Sequence, residues 1–166
     1  MTVVAVDTIV LIRAIREEPD PKDPKAVARA KALIKKLQDD KIPIVLPSVA
    51  LGEYLAGTPT GDIAEHVQTI DKNFVVEPFD ALAALYAGEI WRKFKPLMAP
   101  AQYGTLKQCV KSDCWIFATA LAKTCSILYA HDAWFRRIAR HYPQIKVRGI
   151  PKLPEKQAEI DESAYE

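Results

Sequence analysis

Short apolar runs of four or five residues alternate along this chain with longer stretches whose apolar residues recur every three or four positions. The short runs mark strands buried on both faces, and the longer stretches mark helices with one face inward. Val3 to Val6 reads as the first strand, and Ile9, Ile12 and Ile15 carry helical spacing towards Pro19. The proline-rich stretch Glu17 to Pro24 is loop. Pro24, behind Asp23, sits at a favourable first-turn position for a helix over Ala26 to Leu37, with Ala28, Ala32, Leu33 and Leu37 inward. Ile42 to Leu46 is the second strand, with Pro43 confined to its first residues. Ser48 is the N-cap of a helix over Val49 to Ala56, with Val49, Leu51 and Leu55 inward and Gly57 at its end.

A further helix is expected from about Asp62 to Lys72, and Phe74 to Val76 is a third strand. Asp80 caps a helix through Leu82, Leu85, Tyr86, Ile90 and Phe94 that breaks at Pro96, and Leu97 to Gly104 is loop. Two starts are open for the next helix: Thr105 and Gln108 outline a capping box, while Ser112 is a second cap just before Asp113. Both put Trp115 to Ala122 in the helix, with Trp115 in the core. Ser126 to Ala130 is a fourth strand, a basic helix runs from Trp134 to His141, and Lys146 to Arg148 is a fifth, edge strand. Strands alternating with helices predict an α/β class, with a mostly parallel sheet of four or five strands covered on both faces.

With 166 residues the chain suits one domain, over about 1–150, followed by an acidic tail over 151–166 that lacks any core-forming pattern. Its 49% hydrophobic and 27% charged residues are ordinary globular values, and no apolar run is long enough to span a membrane. The first seven residues have no basic run and meet Asp7 too early for a secretory signal, so a cytoplasmic protein is expected. Cys109, Cys114 and Cys125 form an odd set without CxxC spacing and read as buried thiols. Net charge is +2, but the segment after Leu153 carries −4, so the rest carries +6. That is a mild electrostatic bias towards a phosphate-rich partner.

The placement of four acids changes this picture. Asp7 follows the first strand, Glu53 lies just beyond the second, Asp113 precedes an apolar helical segment and Asp132 follows the fourth strand. In an open parallel sheet the carboxyl ends of the strands face one crevice, where acids far apart in sequence can converge. At about 5 Å and an effective dielectric of about 20, each like-charged pair costs about 3 kcal/mol, so such a cluster calls for protons or bound cations. Magnesium or manganese suits an all-oxygen donor set. Singly, each acid has a plainer role: Asp7 as a helix cap, Glu53 as a solvated helix residue, Asp113 as a charge near a helix N-terminus and Asp132 as a turn former. The histidines His66, His131 and His141 have no evident nucleophile at a predictable distance, and surface or core roles suit them.

Four segments, in order, resemble the PIN-domain nucleases, and in particular the VapC-type toxins of toxin–antitoxin pairs. They are Val4-Ala5-Val6-Asp7-Thr8, Leu46 to Leu55 (LPSVALGEYL), Ser112 to Ala120 (SDCWIFATA) and Leu128 to Phe135 (LYAHDAWF). Three positions depart from the family pattern: Ile9 replaces a small polar residue, Ala130 a Ser or Thr, and Trp134 an acid found in some members. The resemblance implies a three-layer α/β/α fold and a metal-dependent endoribonuclease, with a small antitoxin protein and a second copy of the chain as partners. It implies Asp7 and Asp113 as main ligands of Mg2+ or Mn2+, Glu53 positioning a metal or its water, Asp132 completing a second site, and Thr8 assisting by hydrogen bonding. Lys107, Lys111, Lys123, Arg136, Arg137 and Arg140 flank the later acids and could track an RNA backbone, with Tyr103 and Trp134 stacking on bases. The alternative is a PIN-like module that binds RNA or protein without catalysis, for which Ile9 and Ala130 speak. Haloacid-dehalogenase phosphohydrolases also place an aspartate after the first strand, but need a second acid where this chain has Ile9.

Overall fold

The computed structural model describes residues 2–95 and 105–153, with backbone alone for 105–110. Five strands, β1 (Val4–Val6), β2 (Ile44–Pro47), β3 (Val75–Glu77), β4 (Ile127–Tyr129) and β5 (Lys146–Arg148), form one sheet in the order β3-β2-β1-β4-β5. Every pairing is parallel. Seven helices connect them: α1 (Thr8–Ala14), α2 (Ala26–Asp39), α3 (Ser48–Ala56), α4 (Ile63–Asn73), α5 (Ala81–Phe94), α6 (Thr105–Ala122) and α7 (Ala133–Ala139). Helices α1, α2 and α4 line one shared cleft and α5, α6 and α7 pack in sequence, and the right-handed rule for parallel crossovers puts the two groups on opposite faces of the sheet. This is the expected three-layer α/β/α architecture. Helix α3 sits at the carboxyl edge, packed on both α1 and α6. No described helix is long and apolar enough to cross a membrane.

The strand order decides where a site can form. From β1 the chain moves outward through β2 and β3, and later returns to β4 on the other side of β1. The carboxyl ends of β1 and β4 therefore flank the point where strand order reverses, the place where open parallel sheets leave a crevice. The central strands are largely buried: Val4, Ala5 and Val6 of β1, Leu46 of β2 and Leu128 of β4 expose nothing to solvent.

Two helices end in a Schellman motif without glycine. After α2, Lys41 N–H donates to Gln38 O and Ile42 N–H to Leu37 O; after α6, Thr124 N–H donates to Leu121 O and Cys125 N–H to Ala120 O. Lys41 and Thr124 consequently sit at positive φ, 54° in each case, which is costly for a β-branched residue. These tight ends deliver the chain at once into β2 and β4. Helix α6 starts at Thr105, the earlier of the two open positions.

Several local expectations are corrected. The inward face of α2 is Ala26, Ala30, Leu33, Ile34 and Leu37, whereas Ala28 is exposed and Ala32 only half-buried. Asp23 does not cap α2; it receives Lys25 N–H and pairs with Arg29. Ser48 is inside α3 rather than its N-cap, and its hydroxyl accepts from Phe79 N–H at 3.2 Å. The buried residues of α3 are Ala50 and Tyr54, with Val49, Leu51 and Leu55 only partly covered. β3 begins at Val75, one residue late, because Phe74 turns into the core at the end of α4. On α5 the core face is Ala83, Ala87, Ile90 and Phe94, while Leu82 and Leu85 are exposed. Trp115 is 42% exposed, its ring tilted at 54° against Phe79 instead of lying in the core. Cys114 and Cys125 are buried free thiols, and burial pushes both up to about 12. The Leu97 to Gly104 loop, the side chains of Lys107, Gln108 and Cys109, and the acidic tail beyond Leu153 lie outside the described residues.

Leu46→Ala, at the sheet centre, is expected to cost about 2–5 kcal/mol in denaturant unfolding. Thr124→Gly should raise stability by about 0.5–1 kcal/mol, since glycine takes the left-handed conformation without a Cβ clash.

Candidate active site

Asp7 stands at the end of β1, where its backbone N–H donates to Tyr129 O of β4 at 3.0 Å. Its side chain also caps α1, with Oδ1 accepting Thr8 N–H at 2.7 Å. Asp132 has the same double position after β4: it caps α7, and its Oδ1 accepts Trp134 N–H at 2.7 Å. The plain capping role therefore holds for Asp7, and Asp132, expected as a turn former, is a helix cap as well; each cap uses one oxygen of its carboxylate.

Glu53 reaches the same edge from α3. Thr8 Oγ1 donates to Glu53 Oε2 at 2.7 Å, and Ser112 Oγ donates to Oε1. One carboxylate is thus held by hydroxyls from α1 and α6, the two helices that bring in Asp7 and Asp113. Ser112 was legible in the sequence only as a possible cap; its neighbourhood with Asp113 was the available clue. Asp113 lies half-buried on α6, next to the buried Cys114, and receives no hydrogen bond from any described residue.

Asp7 and Asp113 feel the charges of the other acids. Burial raises Asp7 from 3.8 to about 7, with Thr8 N–H opposing the rise and the charges of Glu53 and Asp132 adding to it. Asp113 is raised to about 8, first by burial and then by Asp7, Asp132 and Glu53. No described cation lies within ion-pair reach of any of the four: the salt bridges join other acids, with Arg13 on Asp20, Arg29 on Asp23 and Lys123 on both Glu77 and Asp80. In kind, an uncompensated all-oxygen donor set fits a hard divalent cation. In position it is not drawn tight, since among the described residues no three Asp, Glu, His or Cys side chains stand close enough to share one ion.

The basic residues separate. Arg136 and Arg137 are exposed on α7, the helix that Asp132 caps, and Arg137 lies over Trp134 at 5.1 Å. Arg140, just past α7, is exposed as well. Lys111 lies over the Trp91 ring at 5.4 Å. Lys123 is removed from the RNA-tracking set, because its two ion pairs tie the end of β3 to the cap of α5. Among the histidines, His66 shares a 2.7 Å hydrogen bond with the buried Tyr54 hydroxyl, His141 packs edgewise on Phe94 and His131 is exposed. Tyr103 lies outside the described residues.

The raised acids carry a sign for stability. Unfolded, Asp7 and Asp113 ionise near pH 4; folded, they hold protons to about pH 7 and 8. The folded state binds more protons in between, so these groups lose stability as pH rises through that window. Without divalent cation, unfolding should show a loss of about 2 kcal/mol from pH 6 to pH 8, after allowance for solvent screening. Asp113→Asn should flatten that profile and be more stable than the parent at pH 8. Millimolar Mg2+ or Mn2+ should raise the parent's melting temperature most at pH 8, where the acids are free of protons.

The PIN domain family model matches residues 4–141. No curated protein matches the chain. Among solved structures, a chain of VapBC2 from Rickettsia felis bound to a DNA fragment from their promoter superposes with a TM-score of 0.62 at 15% identity. The match covers 90% of this chain and 100% of that one. A chain of DNA-bound VapBC from Salmonella typhimurium gives 0.60 at 16% identity, covering 91% and 100%. These likenesses establish a shared fold. The family match spans all four acids and the whole of the sheet but β5, and the chain belongs to the PIN domain family.

Proposed function

We propose that the chain is a divalent-cation-dependent endoribonuclease and the toxin of a toxin–antitoxin pair. What supports this reading is that Asp7 and Asp113 are raised by burial and by the charges of the other acids, which come from separate elements on the carboxyl side of a parallel sheet. Mutual repulsion there, with no described lysine or arginine to offset it, suits a site whose missing partner is a cation. The solved structures named VapBC, which share this fold, support the antitoxin partner.

Asp7 and Asp113 would hold Mg2+ or Mn2+, with Glu53 and Asp132 completing the set. When bound, such ions supply an acidic water as nucleophile and offset charge on the phosphate. The chain's own part is positional. Thr8 and Ser112 clamp both oxygens of Glu53 and fix where its charge points. The caps of α1 and α7 hold one oxygen of Asp7 and Asp132 and leave the other for ligation. Asp113, without a hydrogen bond of its own among the described residues, is the acid freest to change its proton for a cation. Arg136 and Arg137 offer charge to an RNA backbone from α7, whereas Lys111 lies over Trp91 in the α5–α6 groove.

A second reading has a specific observation behind it. The acids are not drawn tight around one point, and Ile9 and Ala130 replace polar residues of the family pattern, which fits a module that binds RNA or protein without cutting it. The two readings part in one assay: single-stranded RNA with added Mg2+ or Mn2+. The parent should cut, Asp7→Asn and Asp113→Asn should fall at least about 100-fold, and Ser112→Ala about 10-fold. Equal residual activity in parent and variants would leave the binding module.

Homodimerisation is proposed on the α5–α6 face. Leu82, Leu85 and Trp115 are exposed there beside a groove of about 350 Å³ lined by Phe79, Ala87, Gly88 and Trp91. Exposed apolar surface of this kind marks an interface. Leu85→Lys should convert a dimer to a monomer in light scattering; a parent that is monomeric at tens of micromolar would refute the dimer.

A further inference from the structure

A cavity of about 320 Å³ opens beside the acid cluster, between Ile9, two residues past Asp7, and His131, next to Asp132. Its walls come from four parts of the chain: Ile9 and Arg13 on α1, Asp20 to Arg29 around the start of α2, His131 before α7, and Ile150 after β5. Two arginines build it. Arg13 donates to Glu18 O at 2.6 Å, Pro19 O at 2.8 Å and Asp20 Oδ2 at 3.2 Å. Arg29 donates to Pro151 O at 2.9 Å, Ile150 O at 2.6 Å and Asp23 Oδ2. The arginines therefore pin the proline-rich loop and the segment after β5 in place, and each neutralises one acid of the lining.

What the cavity offers a ligand is one aliphatic wall among charged groups of both signs. Ala26 and Ile150, both buried, and the half-buried Ile9 form that wall, and Arg13, Arg29, Asp20, Asp23 and His131 line the rest. Asp20 spends Oδ1 on Lys22 N–H and Oδ2 on Arg13; Asp23 spends Oδ1 on Lys25 N–H and Oδ2 on Arg29. An ionised carboxylate has about four lone-pair sites, so each retains about two. The volume lies at the small end of the range for ligand pockets, about 300–1,000 Å³, which suits one nucleoside.

We propose that this cavity is the subsite for the nucleobase next to the scissile phosphate, and that it selects bases bearing an exocyclic amino group. The inference rests on the RNA reading of the adjoining acids. The aliphatic wall takes one face of the ring, and Asp20 and Asp23 accept N–H donors from its edge, as carboxylates do from cytosine N4. Guanine presents two adjacent N–H donors and adenine and cytosine an amino group, whereas uracil sets its one edge N–H between two carbonyls that repel a carboxylate. Ile9, where the family pattern has a small polar residue, becomes an apolar wall in this setting.

The test is a titration of the full chain with guanosine, adenosine, cytidine and uridine, without divalent cation, followed by amide NMR shifts. Saturable shifts at Ile9, Ala26 and Ile150 are expected, with uridine at least about fivefold weaker than the other three. Ala26→Leu, which fills the cavity, should weaken binding about tenfold; Asp20→Asn, which keeps its shape, should erase the discrimination against uridine. Both variants are checked for native thermal unfolding, and if Ala26→Leu does not fold, Asp20→Asn decides. Cleavage is not measured, so failure of the nuclease assay leaves this result intact. No saturable shift from any nucleoside, as for a pocket that takes a protein partner's side chain, would overturn the proposal. So would uridine binding as tightly as the rest, or unchanged binding in both folded variants.

Discussion

Repulsion among four carboxylates is the constraint around which this molecule is arranged. Burial and mutual charge hold Asp7 and Asp113 protonated to about pH 7 and 8. A fold selected for stability alone would place a lysine or arginine among them, and this chain has 23 such residues. Those that make described ion pairs serve other acids. The edge is kept electrostatically open, as a site does when its counter-charge arrives from outside.

The scaffold tolerates this because backbone and hydroxyl groups fix the strand ends and Glu53. Backbone bonds from Asp7 N–H to Tyr129 O and from Ala130 N–H to Arg148 O lock the ends of β1, β4 and β5 together. Hydroxyls of Thr8 and Ser112 hold Glu53. Tyr54, fully buried on α3, ties that helix to His66 on α4 and lies under Arg16. The helix that carries Glu53 is thereby anchored one residue away, which frees its acid from any structural duty beyond the two hydroxyl contacts.

The elements were legible where period and length agree, and less so where packing chose between similar residues. Val4 to Val6 and Ile127 to Tyr129 are apolar runs too short for a helix and too continuous for an exposed strand. On α2 the buried alanines are Ala26 and Ala30, two positions either side of the expected Ala28, because alanines fall all around that helix and only packing against its neighbours, α1 foremost, picks Ala30 over Ala28. Trp115 was placed in the core on size and hydrophobicity, but α6 turns Ile116, Phe117 and Ala120 to the sheet and leaves Trp115 on its outer side. Ser48 had the residue type of a cap, yet β2 runs directly into α3 and the helix begins at the serine itself.

The sequence by itself determined the parallel α/β class, the positions of the strands and the acids Asp7 and Asp132 that follow β1 and β4, because strand burial and acid placement are local patterns of residue type. Only the tertiary structure decided that Thr8 and Ser112 share Glu53, that Lys123 is spent on Glu77 and Asp80, and that Ile9, Ala26 and Ile150 enclose one cavity with two neutralised aspartates. The side-chain pairings of Glu53 and Lys123 join residues 43 to 59 positions apart, and the cavity brings Ile9 and Ile150 together across more than 100. Such pairings depend on strand order and on the angle at which helices meet the sheet, and neither is written in any one stretch of the chain.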